Sequence, residues 1–144
     1  MFNEKTIEQV WTLARTVEGF NPDIIRKDAC GAWIMKSQYG NRDSIYGWEI
    51  DHVYPLSMGG TDEMANLRAM QWENNVAKGD DYPVYKSKIQ AEGNKNIYKE
   101  EQYTVNDSPQ ERLKQLYNYA ILLTPYKHAI QIYLYKESFW PVQL

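Results

Sequence analysis

Within EIDHVYPLSMGGTDEMANLRAMQWENNVAKGD, residues 49–80, the side chains suited to chemistry are Asp51, His52, Asn66, Asn75 and Lys78. Hydrolysis of a phosphodiester would use such a set. It needs a base to activate water, a cation to offset charge gained at phosphorus, and rigid placement of both. His52 is the natural base, because imidazole titrates near neutrality without help. Asp51 offers a carboxylate to a metal, and Asn75 an amide oxygen. One carboxylate, one amide oxygen, phosphate oxygens and water suit a hard cation, Mg²⁺ before Mn²⁺ and either before Zn²⁺. Asn66 lies 14 residues after His52 and can hydrogen-bond loop backbone, holding the His52 segment in place. Lys78, three residues beyond Asn75 on the same helix face, could contact a phosphate. Arg42 and Arg68, with Arg26 and Lys27, are further phosphate contacts or ordinary surface charges. Asn74 reads as a solvated helix residue.

These side chains must be positioned by short elements. The runs AWIM (32–35) and YGWEI (46–50) read as a β-hairpin or as two short strands, with a turn at Gly40-Asn41, so Asp51-His52 falls at a strand end. A loop over 53–66, punctuated by Pro55 and Gly59-Gly60, leads to a strand at 67–70 and a helix at 71–79 that stops at Gly79. Upstream, Ile7, Val10, Trp11, Ala14 and Val17 predict an amphipathic helix over about 6–18, opened by a Thr6/Gln9 capping box. Downstream, 91–107 reads as a polar loop and Ser108-Pro109-Gln110-Glu111 opens another helix. The stretch around 126–134 fits strand or helix periodicity, and helix is the reading taken.

The run from Ile50 to Asp80 resembles the HNH endonucleases of the ββα-metal nuclease superfamily. The Asp-His pair, the Pro three residues after His52, the Gly-Gly turn, Asn66-Leu67 and Asn-x-x-Lys at 75–78 match in order and spacing. The flank from Arg26 resembles a compact bacterial or phage subgroup without zinc-binding cysteines. The likeness spans roughly residues 20–85. It implies an α+β fold with a ββα-metal core at about 29–81, an N-terminal helix, and a mainly helical extension over about 82–144. It further implies a metal-dependent hydrolase of DNA phosphodiesters, with His52 the general base, Asn66 the loop-fixing Asn of the catalytic site, and Asp51 and Asn75 the metal ligands. Asn75 stands where many members have His, the HNN form, which moves the expected metal toward Mg²⁺. Two other classes share these residues. One is a catalytically silent nucleic-acid-binding module; the other is a toxin or effector domain that acts beside a protein partner. A homodimer would suit double-strand cleavage.

Composition sets the outer bounds. A chain of 144 residues with 43% hydrophobic and 14% aromatic content suggests a single packed domain over 1–144. No run approaches the ~18 apolar residues of a membrane span, and the N-terminus lacks a secretory pattern. Cys30 is the single cysteine, which excludes an internal disulfide and a Cys-rich zinc site. A cytoplasmic protein is the expectation. Net charge is −3, whereas nucleic-acid binders are usually basic. Residues 1–81 carry 8 Lys+Arg against 13 Asp+Glu, a net of −5, and 82–144 carry 8 against 6, a net of +2. Any surface that meets DNA must therefore be locally positive, with the tail one place to look. His128 and the tail tyrosines (Tyr117, Tyr119, Tyr126, Tyr133, Tyr135) read as structural.

Overall fold

A computed structural model describes the backbone of residues 1–122 and the side chains to Tyr117. The 126–134 segment, His128 and Tyr126, Tyr133 and Tyr135 lie outside the described residues, as does the Tyr119 side chain. The fold is α+β. The length suggests one domain, yet the chain divides into two compact units, Met1–Val105 and a second that begins at Asn106. No helix among the described residues is long and apolar enough to cross a membrane.

The first helix, α1, is Glu4–Leu13, shorter than the 6–18 expected from its apolar spacing. Its cap is Asn3, whose Oδ1 accepts the Thr6 N–H at 2.8 Å, so the Thr6/Gln9 box is not used. The short polar side chain at the helix entrance meets a donor that the helix itself leaves unpaired. At the other end Arg26 donates through Nη1 to the carbonyls of Thr12 and Ala14, at 3.0 and 3.1 Å, and through Nε to Pro22. Arg26 is thus a buried helix stop rather than a surface charge.

Of the two readings of the 32–50 segment, the structure has two short strands rather than a hairpin. Strand β2 (Trp33–Met35) pairs antiparallel with β1 (Ile25–Lys27), not with the 46–50 run. Strand β3 (Trp48–His52) pairs instead with β4 (Leu67–Gln71), placing Asp51 opposite Arg68 and His52 opposite Leu67. Alternation along these strands gives the sheet two faces. Trp48, Ile50, Leu67 and Ala69 join Val10 and Trp11 of α1 and Ile34 in the apolar core. Glu49, Asp51 and Arg68 lie on the other face, toward helix α2 (Trp72–Lys78).

The expected polar loop at 91–107 is largely strand: β5 (Val84–Glu92) and β6 (Lys95–Thr104) form a hairpin turning at Gly93. The region after 82 is therefore not mainly helical. Only one face of this ribbon is buried, through Tyr85, Ser87 and Ile89, so its many polar residues conceal the period of two. The second unit contributes α3 (Asp107–Leu122), which opens one residue before Ser108 and buries Leu113 and Tyr117.

Candidate functional site

The loop joining β3 to β4 returns on itself because Asn66 closes it. Asn66 is fully buried. Its Oδ1 accepts the Tyr54 N–H at 2.7 Å, and its Nδ2 donates to the carbonyls of Tyr54 and Thr61, each at 3.0 Å. The Gly-Gly turn makes this possible. Gly59 sits at φ 102°, and a Cβ on Gly60 would run into the Tyr54 carbonyl.

Above that loop a cleft of about 220 Å³ is lined by Asp51, His52 and Asn75, with Pro55, Leu56 and Asp80. The adjacent Asp51 and His52 side chains leave opposite faces of the strand, but the strand ends at His52 and both reach the cleft. His52 Nε2 lies 2.7 Å from Asp62 Oδ1, and its ring packs against Phe2 with centroids 5.8 Å apart. A carboxylate accepts and does not donate, so this contact puts a ring proton on Nε2, and in the neutral ring the lone pair is then on Nδ1. Asn75 Nδ2 donates to Glu49 Oε1 at 3.3 Å, which turns its amide oxygen away from Glu49.

Asp51 is only 4% exposed and is paired with two cations. Arg68 Nε donates to Oδ2 at 2.8 Å, and the Lys78 ammonium lies 3.2 Å from Oδ1. Lys78 also donates to the His52 carbonyl at 3.0 Å, and its side chain has no exposure. Lys78 therefore spends its charge inside the protein and presents none to a ligand, unlike the surface lysine its helix position suggests. Arg68 is likewise drawn inward, its guanidinium 5.0 Å from the Tyr85 ring. Burial alone would lower the Arg68 pKa, but the Asp51 charge and hydrogen bond outweigh it and the net shift is upward. Arg42 remains at the surface in a forked pair with Glu49, at 3.0 Å on both arms, over the Trp72 ring.

Asn74 departs furthest from expectation. It is fully buried; Oδ1 accepts from Lys88 N and Ile89 N at 2.8 Å, and Nδ2 donates to Ile89 O and Asp28 Oδ2. The β5 register shifts between Ser87 and Ile89, and Asn74 supplies the acceptor that the irregular ladder lacks. Asp28 completes this polar centre. Its oxygens also accept from Cys30 N, Ala32 N and Gln71 N at 2.8–3.0 Å. Burial pushes the Asp28 pKa up, although these donors pull the other way. Burial, and then the nearby Asp28, push the Cys30 thiol up to about 12.

The residues absent from the sequence reading are Asp62, Glu49, Asp80 and Asp28. Glu49 could have been found, because it lies two residues before Asp51 and so shares its face. Asp62 carries no such signal, being brought to His52 by a loop. Among the described residues no group of three or more His, Cys, Asp or Glu side chains could hold a metal ion. The side-chain oxygen donors lining the cleft are the carboxylates of Asp51 and Asp80 and the amide of Asn75. They fit a hard cation only if phosphate and water complete its shell, and Asp51 must accept it beside Arg68 and Lys78. Comparison with family models, curated proteins and solved structures finds no match to this chain.

Proposed function

We propose that this cleft is the active site of a metal-dependent endonuclease that cuts DNA phosphodiesters, and that β3, β4 and α2 form a ββα-metal core of the HNH type. The observation that carries the reading is convergence: Asp51, His52 and Asn75, spread over 24 residue positions, line one cleft. Asn66 meanwhile pins the loop between them with three hydrogen bonds.

In this reading His52 takes a proton from water at Nδ1 as the water oxygen bonds to phosphorus, while Asp62 holds the ring through Nε2. The phosphorus–oxygen bond to the leaving 3′ oxygen breaks, and that oxygen leaves with the electron pair. A divalent cation, Mg²⁺ first, on Asp51 and Asn75 would offset the charge gained at phosphorus and on the leaving oxygen. Arg68 and Lys78 already balance Asp51, so metal affinity without DNA is expected to be weak.

That same balance favours one second reading, a silent nucleic-acid-binding module, in which the Asp51 pairs are permanent. Nicking of supercoiled plasmid separates the two. The active enzyme nicks with Mg²⁺, stops in EDTA, and loses at least ~100-fold in rate in His52→Ala. Undiminished nicking by that variant would remove His52 from the chemistry.

A further inference from the structure

A second cleft, also of about 220 Å³, lies where the end of α1 meets β1, and Arg15, Lys27 and Arg68 line it. Its acidic member, Asp28, is buried, and both its oxygens are occupied by four donors from the chain. Arg15 is exposed and, among the described residues, has no ion-pair partner. Lys27 has none among them either; its ammonium lies 4.5 Å from the Trp33 ring. The Nη2 of Arg68 is buried without a hydrogen-bond partner, the one such side-chain atom among the described residues. Buried donors are rarely left unmet in this way. Three of the wall residues, Ala14, Ala29 and Ala69, are small, so bulky side chains do not crowd the cleft from those sides.

Arg15 and Lys27 face each other by construction. Each donates its backbone N–H to the other's carbonyl, at 3.1 and 2.9 Å, so their side chains leave a paired backbone at one level. The Asp51–Arg68 pair links this cleft to the first one, since Asp51 lines one cavity and Arg68 the other. A chain whose first 81 residues are net −5 therefore sets two cations, Arg15 and Lys27, beside the Asp51-paired Arg68 at one concavity next to its candidate active site.

We propose that the Arg15–Lys27–Arg68 cleft is a subsite for a backbone phosphate of DNA flanking the bond to be cut. The identity of the ligand rests on the phosphodiesterase reading. The cleft supplies the local positive surface that the overall charge does not, and it aligns the strand from the side of Asp51. Arg15 and Lys27 are positioning residues and take no part in proton transfer.

The test is binding of a fluorescein-labelled 20-base-pair duplex to the full chain in EDTA, measured by anisotropy against salt concentration. Each phosphate contact on duplex DNA contributes ~0.9 to the log–log salt slope. Arg15→Gln/Lys27→Gln, which removes the one phosphate contact of the cleft, should therefore lower the slope by about 0.9 and weaken binding roughly tenfold or more. Lys95→Gln/Lys99→Gln removes the same charge from the exposed face of β6 and should leave the slope nearly unchanged. Equal losses in both variants would reduce the effect to net charge and overturn the subsite. So would an unchanged slope in the first variant, or no binding by the wild type at 20 mM salt. Thermal melts should show both doubles folded. His52→Ala nicking tells the two readings apart. Full cleavage there with the slope difference intact sinks the catalytic reading alone; lost cleavage with an unchanged slope in the first double sinks the subsite alone.

Discussion

Asn74 and Asn75 are neighbours on α2 and belong to two regions with opposite character. Asn74 joins Asp28, Gln71 and the β5 backbone in a centre where each polar group has a partner from the chain. Asn75 turns toward the cleft with Asp51 and His52, where its amide oxygen remains available. The same residue type serves as an internal strut in one place and as a candidate ligand in the other. What separates them is how fully each is already bonded. A saturated polar network rigidifies, and an unsaturated one can act on something from outside.

The largest effect should come from breaking the saturated region. Asp28→Asn keeps the shape but places an N–H₂ against two donors, Gln71 N and Asn74 Nδ2, if the remaining oxygen faces Cys30 and Ala32. A loss of about 3–5 kcal/mol is expected by urea unfolding, a large share of a typical domain's stability. A change under about 1 kcal/mol would mean that the centre is not the strut described.

Chemical reactivity contrasts the regions next. With its thiol pushed up to about 12, Cys30 should react with iodoacetamide at pH 9 about a thousandfold more slowly in the native protein than in urea. The sign follows from the folded state favouring the protonated thiol. Its contribution to stability is complete below about pH 9 and is lost as the pH rises from there toward 12. Rapid native labelling would show the centre to be open. The third comparison is within the helix itself. Asn75→Ala should lower Mg²⁺-dependent nicking about 100-fold and move stability by less than about 0.5 kcal/mol, whereas Asn74→Ala should cost about 3 kcal/mol. If the two variants traded phenotypes, the division between strut and cleft would be reversed.

Much of the site is legible along the chain. A strand end carrying Asp51-His52, a glycine turn, an Asn66 that hydrogen-bonds loop backbone and a helix stopped at Gly79 all follow from local pattern, and the structure has each. Asp51, His52 and Asn75 do line one cleft. Polar identity alone misleads about exposure, however. Asn74, Lys78, Arg68 and Arg26 all read as surface residues, yet three are buried and Arg68 is paired inward with Asp51. The β5–β6 hairpin was hidden for the same reason, since its exposed face dilutes the apolar alternation that marks a strand.

The sequence by itself determined what depends on neighbours within a few residues: the turn at Gly59-Gly60, the stop of α2, and the alternation that puts Glu49 and Asp51 on one face. Only the tertiary structure decided which strands pair and which charges are spent internally. Asp51 meets Arg68 across 17 positions, Asn74 meets Ile89 across 15, and Asp28 meets Asn74 across 46. A local period specifies the direction of a side chain. Whether that side chain is satisfied depends on partners that only folding brings within hydrogen-bond reach.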